Sequence, residues 1–307
     1  MSASLTAARI AVLIPCLNEE VTISKVVQDF RKELPGATIY VFDNNSTDRT
    51  AELAEAEGAV VIPERKRGKG HVIASMFRKV EADYYVMVDG DDTYSASHVQ
   101  ALLQPLLDGE ADMTVATRLN EYEEESFRPL HVFGNNLVRS LVNWIFSSNL
   151  EDIMSGYRGF SRELVQNLPV LASGFEVETE MTIRVLDYGY TIQEVTVPYR
   201  ERPEGSFSKL NTFRDGFRVL YQIASIARSY KPILFFGVLA LLFGLIGLIA
   251  GGEVIVDYAV DGYVDKVPTA ILAVGCMLLC FGSIGIGAIL DTLNARFREV
   301  LRLLQRK

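Results

Sequence analysis

The sequence predicts an α/β fold, in which a mainly parallel β-sheet is flanked by helices and followed by two transmembrane helices. Short apolar runs alternate with amphipathic helical stretches over roughly the first 120 residues, and this alternation is typical of right-handed βαβ crossovers. Two later stretches, Ile233–Gly251 and Val267–Leu290, are uncharged over 19 and 24 residues. At about 1.5 Å rise per residue, each can cross a hydrocarbon core of about 30 Å. Buried core helices are the alternative, but core helices of this length usually keep a polar face.

Five strands are predicted in the first part of the chain, because each is a short apolar run bounded by polar residues or proline. They are Arg9–Pro15, Thr38–Phe42, Ala59–Ile62, Tyr84–Val88 and Met113–Ala116. The helices between them are indicated by apolar residues at helical spacing and by glycine or proline near their ends. They are Val21–Leu34, Asp48–Glu57, His71–Val80 and Ser97–Leu107.

The pattern is less regular beyond about residue 120. Pro129–Phe146 and Phe175–Leu186 are predicted helices, and Ser155–Arg162 (SGYRGFSR) is predicted as a tight turn carrying two arginines. Thr191–Val197 alternates polar and apolar residues as an edge strand does. Asn211–Arg228 has one apolar face and suits a helix on a membrane surface, with a plain capping helix as the alternative.

Charged residues beside the two apolar stretches indicate an orientation. The loop between them has four acidic residues and a single Lys266, whereas basic residues precede the first stretch and follow the second. By the positive-inside rule, the N-terminal part and the C-terminal tail lie in the cytoplasm. We therefore expect a multi-pass protein of the inner or plasma membrane, with its catalytic domain facing the cytoplasm.

This orientation divides the chain into six parts. They are a cytoplasmic catalytic domain at 1–210, an amphipathic interface helix at 211–230, a transmembrane helix at 231–252, a short external loop at 253–266, a second transmembrane helix at 267–290 and a basic cytoplasmic tail at 291–307. Small residues four apart, Gly247 with Gly251 and Ser283 with Gly287, permit close helix packing in the spans. A homo-oligomer is therefore compatible with the sequence.

Composition and motifs weigh against several function classes. The net charge of −9 argues against general nucleic-acid binding, and three cysteines provide no disulfide framework. The chain lacks a G-x-x-x-x-G-K-[ST] phosphate loop, and PCLNEE stands where a dinucleotide-binding fold has G-x-G-x-x-G. A P-loop enzyme and a dinucleotide-dependent enzyme are therefore both disfavoured.

Carboxylates follow three of the predicted strands, at the sheet edge where ligands gather in parallel folds. They are Glu19, Glu20, Asp43, Asp89, Asp91 and Asp92. Oxygen ligands without a nearby His or Cys suit Mg²⁺ or Mn²⁺. Such an ion would offset the repulsion among the carboxylates and bind a diphosphate. A solvated acidic turn is the alternative for YYVMVDGDDTY, but these acids end a buried strand.

Four segments in order, IPCLNEE, FDNNSTDRT, RGKG and VDGDDTY, resemble the family-two inverting glycosyltransferases of the nucleotide-diphospho-sugar (GT-A) fold. The resemblance becomes more specific with the later segments SGYRGFSR and YRERPEGSFSK and the two trailing apolar stretches. With them, the chain resembles a polyprenyl-phosphate glycosyltransferase of the dolichyl-phosphate mannose synthase kind. The soluble part of the resemblance covers roughly residues 8–230.

The resemblance implies roles for residues of the crevice. Residues that would bind the donor nucleotide are Pro15, Asn18, Glu19, Asp43, Ser46, Lys69 and Asp89. Mg²⁺ or Mn²⁺ would be held by Asp89, Asp91 and Thr93. Thr93 stands where carrier-lipid enzymes often have glutamine, and Asp92 intervenes. Whether Thr93 or Asp92 completes the metal site therefore stays open. A solvated basic loop is the alternative for Lys69.

The resemblance also implies a site for the phosphate of a lipid acceptor, since guanidinium groups match phosphate geometry. The candidates are Arg118, Arg128, Arg158, Arg200, Arg202 and Lys209. Surface salt bridges are the alternative for the last four. Asp152 is a further catalytic candidate beside Asp89 and Asp91, because it precedes SGYR and could orient the acceptor or a sugar hydroxyl.

The implied activity is metal-dependent transfer of a hexose from a UDP- or GDP-linked donor to undecaprenyl or dolichyl phosphate. A single displacement inverts the anomeric centre, and a lipid phosphate with a second pKa of about 6 is mostly dianionic near neutral pH. The alternatives are a transferase for another lipid or glycan, and a non-catalytic membrane scaffold. A processive polysaccharide synthase is disfavoured, because the chain lacks Q-x-x-R-W and its only tryptophan is Trp144.

Overall fold

A computed structural model of the chain describes residues 8–118, 129–169, 177–200 and 223–304. The chain divides into two units, Met1–Asn211 and Thr212–Lys307. The first unit contains a seven-stranded sheet whose strands are β1 Ile10–Cys16, β2 Thr38–Asp43, β3 Val60–Pro63, β4 Tyr84–Met87, β5 Met113–Arg118, β6 Arg158–Ser161 and β7 Ile192–Val197.

The sheet order is β3-β2-β1-β4-β6-β5-β7. The pairs of β1 with β2, β1 with β4, β2 with β3 and β5 with β7 are parallel, whereas β6 is antiparallel to both β4 and β5. The predicted mainly parallel sheet is therefore confirmed. Since β1, β2 and β4 run the same way, the loops that follow them lie at one edge of the sheet.

Helices cover both faces of the sheet. They are α1 Ile23–Glu33, α2 Thr50–Ala56, α3 Lys69–Lys79, α4 Val99–Leu107, α5 Pro129–Phe146, α6 Arg162–Asn167 and α7 Val177–Asp187. Successive residues of a strand point to opposite faces, and in β1 Val12 and Ile14 join one buried cluster while Leu13 joins the other. The first cluster includes Phe30 of α1, and the second includes Met76 of α3.

One sequence prediction in this unit was wrong. Ser155–Arg162 was expected to be a tight turn, but Arg158–Ser161 forms β6, an inner strand between β4 and β5. The segment RGFS has no apolar run, so its strand conformation comes from pairing on both sides. A Cβ on Gly159 would lie 2.5 Å from Thr114 Oγ1, and the missing side chain therefore lets β6 enter the sheet.

The second unit contains a helical segment at 223–230 and two long helices, α8 Pro232–Asp261 and α9 Val267–Leu304. Both α8 and α9 contain stretches long and apolar enough to cross a membrane. Most of their large apolar side chains are exposed, for example Ile249 at 73% and Leu278 at 68%. Core helices of a water-soluble protein would bury such side chains.

The long helices extend past the predicted spans. Helix α8 continues through residues assigned to an external loop and ends at Asp261. Gly262 caps it, with a φ of 75° and an N–H that donates to Tyr258 O. No proline or glycine precedes Gly262 from residue 253 onward, so nothing stops the helix sooner. Lys266 then forms ion pairs with Glu253 and Asp257 of α8.

The small residues of the spans serve the contact between α8 and α9. A Cβ on Gly247 would meet Met277 at 3.1 Å, and a Cβ on Gly287 would meet Phe236 at 3.1 Å. These glycines therefore allow the two helices of one chain to approach closely. The homo-oligomer stays a prediction.

Candidate active site

Hydrogen bonds join the loop after β1 to the loop after β2. The Asn18 N–H donates to Ser46 Oγ at 2.9 Å, and the Thr47 N–H donates to Asn18 Oδ1 at 2.8 Å. The Glu19 N–H donates to Thr50 Oγ1 at 2.8 Å. Asn18 has a φ of 54°, a left-handed conformation that asparagine tolerates better than most residues. Three predicted nucleotide-binding residues, Asn18, Glu19 and Ser46, thus lie together.

Asp43 is the last residue of β2 and faces the same loops. Both of its carboxylate oxygens lie 3.3 Å from the Ser46 N–H, which donates to them. Pro15 lies in the neighbouring strand, where it pairs in register with Phe42. The predicted nucleoside residues therefore converge at the carboxyl ends of β1 and β2, and their contact with a nucleoside stays a prediction.

Asn44 is a buried residue that sequence reasoning missed. Its side-chain amide donates to the carbonyl oxygens of Glu64 at 3.0 Å and Lys66 at 2.7 Å, and its Oδ1 accepts from the Gly68 N–H at 2.8 Å. These three bonds fix the basic loop that leads into Lys69. The one available signal was a polar DNNS segment directly after a buried strand.

Lys69 is the first residue of α3, and its side chain is buried between two carboxylates. Its Nζ lies 2.6 Å from Asp89 Oδ1 and 2.5 Å from Glu178 Oε1. The Lys69 side chain is 12% exposed, that of Glu178 is 5% exposed and that of Asp89 is 27% exposed. A solvated basic loop, the alternative considered for Lys69, does not describe this geometry.

Burial and the neighbouring charges shift the pKa values of Lys69 and Glu178 in opposite directions. Burial alone lowers the pKa of Lys69, but the attraction of Asp89 and Glu178 outweighs it and raises the pKa above its ordinary value. Lys69 is therefore a cation at neutral pH. Burial raises the pKa of Glu178, and the charge of Lys69 opposes that rise. Sequence reasoning missed Glu178, because nothing in FEVETE separates it from the other acids of that helix.

Asp89, Asp91 and Thr93 follow β4 at the same edge of the sheet. Asp91 is 4% exposed, and its Oδ1 accepts from the Thr93 hydroxyl at 2.6 Å and from the Thr93 N–H at 3.3 Å. A Cβ on Gly156 would overlap Asp89 Oδ2, so the glycine of SGYR lets that loop reach Asp89. Because the Thr93 hydroxyl donates to Asp91, Thr93 is better placed to orient Asp91 than to bind a metal itself.

Asp92 points to a different partner. It has a φ of 58° and forms an ion pair with Lys25 at 2.7 Å. Within the described ranges, no group of three or more His, Cys, Asp or Glu side chains is arranged to hold a metal ion. Mg²⁺ often takes only one or two protein carboxylates and completes its shell with water and substrate phosphates. The pair Asp89 and Asp91 fits that mode.

Arg118, at the end of β5, forms a two-point ion pair with Asp152. Its Nε lies 2.7 Å from Asp152 Oδ2 and its Nη2 lies 3.4 Å from Asp152 Oδ1. Its guanidinium carbon lies 5.5 Å from the centre of the Tyr199 ring. Two residues that were predicted separately, one for the acceptor and one for catalysis, are thus partners.

Glu194 of β7 holds the loop that carries Asp152. Its carboxylate accepts from the Glu151 N–H at 2.8 Å and from the Asp152 N–H at 2.8 Å. Burial raises the pKa of Glu194, against the effect of these hydrogen bonds. The backbone of the Asp152 loop is therefore anchored to the sheet at its edge strand.

A polar cavity of about 450 Å³ lies beside Arg118 and Asp152. Its volume falls within the range of small-molecule sites. The side chains that α5 contributes to its lining are Asn135, Asn136, Arg139, Ser140 and Asn143. The helix was predicted from the sequence as Pro129–Phe146, but none of these five residues was predicted to have a role.

Arg158 does not fit its predicted role at an acceptor phosphate. It is 0% exposed. Its guanidinium donates to the carbonyl oxygens of Ile153 at 2.8 Å and Ser155 at 2.7 Å, and to Thr182 Oγ1 at 2.9 Å. Burial lowers the pKa of Arg158. The side chain therefore holds the 153–155 backbone, and a phosphate has no open path to it.

Arg200 lies beside the segment that follows Asp91. Its N–H donates to Thr93 O at 2.9 Å, and its Nη2 lies 3.3 Å from Ser95 Oγ. Tyr94 and Tyr199 form an isolated antiparallel bridge at the same place. The remaining acceptor candidates lie outside the described residues: Arg128, Arg202 and Lys209.

Comparisons with known proteins agree with this geometry. Residues 11–168 match the family described as glycosyl transferase family 2. The glycosyltransferase AglJ of Haloferax volcanii is 33% identical over 74% of this chain and 75% of its own length. The dolichyl-phosphate hexose transferase of the same organism is 29% identical over 71% of this chain and 93% of its own length.

Solved structures with this fold include glucosyl-3-phosphoglycerate synthase of Mycobacterium tuberculosis, in a complex with Mn²⁺, UDP and phosphoglyceric acid. Its TM-score is 0.59 at 26% identity, over 73% of this chain and 79% of that chain.

An undecaprenyl-phosphate mannosyltransferase of Micrococcus luteus is 25% identical over 64% of this chain and 86% of its own length. With its GT-A-like sheet and the acids at its carboxyl edge, this chain belongs to glycosyl transferase family 2.

Proposed function

We propose that this family-two glycosyltransferase transfers a hexose from a UDP- or GDP-linked donor to a polyprenyl phosphate, with inversion and with Mg²⁺ or Mn²⁺. The observation that carries the proposal is the joint presence of Asp89 and Asp91 after β4 and of two apolar helices long enough to cross a membrane. The relatives named for dolichyl- and undecaprenyl-phosphate transfer support the acceptor class.

The donor would occupy the edge formed by the loops after β1, β2 and β4. Asn18, Ser46 and Asp43 would hold the nucleoside, since their mutual hydrogen bonds keep these loops together. Asp89 and Asp91 would hold the divalent ion. When bound, that ion supplies positive charge that stabilises the departing nucleoside diphosphate. Lys69 adds a fixed positive charge beside Asp89.

The acceptor would enter near Arg118. A guanidinium group binds a phosphate through paired hydrogen bonds, and Arg118 is 20% exposed beside a polar cavity. Asp152 would then orient Arg118. Arg128, Arg200, Arg202 and Lys209 are further proposed contacts with the acceptor phosphate.

The chemistry needs no strong general base. A lipid phosphate has a second pKa of about 6 and is mostly dianionic near neutral pH. One of its oxygens attacks the anomeric carbon while the bond from that carbon to the nucleoside diphosphate breaks. A single displacement of this kind inverts the centre, so an α-linked donor gives a β-linked lipid phosphosugar.

The test is a transfer assay with purified full-length protein in lipid nanodiscs. Labelled UDP- and GDP-hexoses are supplied with undecaprenyl or dolichyl phosphate, with Mn²⁺ or with EDTA. We expect lipid-extractable label that depends on the phosphate of the acceptor and disappears with EDTA or in Asp91→Asn. Label that reaches a lipid or glycan without that phosphate would support the alternative acceptor class. Transfer that is unaffected by EDTA would overturn the metal dependence.

Asp92→Asn is the matched control. It removes the neighbouring carboxylate, which is paired with Lys25 and lies outside the proposed metal pair. We expect this variant to retain transfer and its Mn²⁺ requirement. The anomeric configuration of the product, read by NMR, tests inversion independently of the metal.

A further inference from the structure

The ammonium group of Lys69 competes for the carboxylate that the proposed metal needs. Its Nζ lies 2.6 Å from Asp89 Oδ1, within ion-pair distance. A divalent cation at Asp89 would bring two like charges against one carboxylate, and like charges at such separations repel strongly where water is scarce. Metal loading therefore requires that Lys69 keep another counter-ion.

Among the described residues, Glu178 is the one carboxylate besides Asp89 that lies within ion-pair distance of Lys69 Nζ. Its Oε1 lies 2.5 Å from Nζ. The two partners differ in access, because Asp89 is 27% exposed and Glu178 is 5% exposed. Asp89 is therefore the more accessible of the two carboxylates, and Glu178 is the one held deeper against Lys69.

We propose that Glu178 is a positioning residue, which retains the Lys69 ammonium when a divalent cation takes Asp89. The proposal rests on the metal-dependent function proposed above and adds a residue that acts on the metal through Lys69. Glu178 would not touch the metal or the substrate. Its role is to keep a buried charge paired while Asp89 changes partners.

The reason is the cost of an unpaired charge in a buried place. Because only 12% of the Lys69 side chain is exposed, water can solvate little of the ammonium group after a carboxylate is lost. Removing one member of a buried ion pair is far more destabilising than replacing both members with well-packed apolar residues. Without Glu178, the ammonium would depend on Asp89 alone and would resist its release to a metal.

The surroundings of Glu178 keep it in place. It lies in the first turn of α7, where a negative charge interacts favourably with the helix dipole. Its carbonyl oxygen accepts from Thr182 Oγ1 at 3.0 Å, and Arg158 donates to the same hydroxyl. The counter-ion therefore stays where it is when the site is loaded.

The experiment is a double-mutant cycle read by Mn²⁺ binding. Free Mn²⁺ is measured by electron paramagnetic resonance in titrations of full-length protein in detergent, with UDP or GDP present. Glu178→Gln is expected to weaken Mn²⁺ binding at least about tenfold in the wild-type background. In the Lys69→Met background it should change the Mn²⁺ dissociation constant by less than about threefold, because two residues that act through one contact are not additive.

Glu180→Gln is the matched control, since Glu180 lies on the same helix and pairs with Arg184 at 2.8 Å. It should leave Mn²⁺ binding unchanged. Melting temperatures without metal report whether each variant is folded. An equal loss of Mn²⁺ affinity on Glu178→Gln in both backgrounds would overturn the proposal, since it would mean that Glu178 attracts the ion directly. Wild-type protein that binds no Mn²⁺ would instead overturn the metal-dependent function.

Discussion

Arg118 and Asp152 form a two-point ion pair, with Nε to Oδ2 at 2.7 Å and Nη2 to Oδ1 at 3.4 Å. The two residues are 34 positions apart in the sequence. Both side chains are mostly buried, at 20% and 11% exposure. The carboxylate therefore fixes which way the guanidinium faces, and any phosphate bound by Arg118 depends on Asp152 for its alignment.

Asp152→Asn is expected to raise the KM for polyprenyl phosphate about tenfold or more, since a hydrogen bond to a charged group contributes about 1.5–3 kcal/mol. The affinity for UDP or GDP should not change, because Asp152 lies outside the loops after β1, β2 and β4 that would hold the donor. Transfer kinetics and nucleotide titrations measure the two effects separately.

Asp83→Asn provides a control for this prediction. Asp83 also pairs with arginines, but it precedes β4 and so lies at the amino end of the sheet. This variant should leave the acceptor KM unchanged. A lower acceptor KM in Asp152→Asn would contradict the orienting role and would indicate that Asp152 competes with the phosphate.

Thr93→Val tests how Asp91 is held. Valine keeps the shape of threonine but loses the hydroxyl that donates to Asp91 Oδ1 at 2.6 Å. The loss of one such bond to a carboxylate should raise the Mn²⁺ concentration needed for half-maximal transfer by about tenfold. Thr93→Ser retains the hydroxyl and should behave like wild type. If the serine variant is impaired and the valine variant is not, the methyl group matters rather than the hydrogen bond.

Asn44→Ala tests the attachment of the basic loop. Three partly buried hydrogen bonds of the Asn44 side chain disappear, and at about 1 kcal/mol each the folded state should lose about 3 kcal/mol. The melting temperature should then fall by roughly 6–12 °C, and nucleotide binding should weaken because Lys69 follows this loop.

The neighbouring variant Asn45→Gly is a suitable comparison for Asn44→Ala. Asn45 has a φ of 65°, which glycine adopts without strain. Its amide also donates to the 64–65 backbone, but it is less buried than Asn44. We expect a smaller fall in melting temperature, and equal falls would show that burial of Asn44 adds nothing.

Much of the fold could be predicted because its strands are short apolar runs with polar ends. The predicted β1 spanned Arg9–Pro15, and the observed strand is Ile10–Cys16. The strand β6 could not be predicted, since RGFS becomes a strand only when β4 and β5 flank it. Helix α8 extends past its predicted end at residue 252 to Asp261. Hydropathy predicts the apolar part that can cross a membrane, but it does not predict where the helix itself ends.

The candidate site shows the same division. The acids after β1, β2 and β4 could be predicted, because parallel strands bring their carboxyl ends to one edge. The partners of those acids could not, since Glu178 reaches Lys69 and Asp152 reaches Arg118 only through the folded chain. Arg158 was wrongly predicted to bind a phosphate, because an arginine beside a predicted turn is expected to be exposed, whereas this one is buried.

The proposed orientation predicts which residues a membrane-impermeant thiol reagent can reach. In a variant whose three native cysteines are replaced, Asp265→Cys in the loop between α8 and α9 should be labelled on intact cells. Lys66→Cys, in the exposed basic loop of the first unit, should be labelled only after the membrane is opened. Labelling of Lys66→Cys on intact cells would reverse the orientation.

A final prediction concerns acid stability and Asp48. Burial alone would raise the pKa of Asp48, but hydrogen bonds from Thr50 and from the Glu20 N–H outweigh it and lower the pKa. Its Oδ1 accepts from Thr50 Oγ1 at 2.5 Å, and its Oδ2 accepts from the Glu20 N–H at 3.1 Å. Because the folded state has the lower pKa, the ionised carboxylate stabilises the fold above the unfolded pKa of about 3.9.

Asp48→Asn should therefore destabilise the protein by about 1 kcal/mol near pH 7, equivalent to a fall of about 2–4 °C in Tm. The stabilisation by Asp48 is lost as the pH falls through its folded pKa, so the Tm difference between variant and wild type should shrink below about pH 4. Thermal melts between pH 3 and pH 7 measure this, with the exposed Glu81→Gln as a control. A Tm difference that stays constant over this range would mean that the ionised form of Asp48 contributes nothing, and that the loss comes from packing instead.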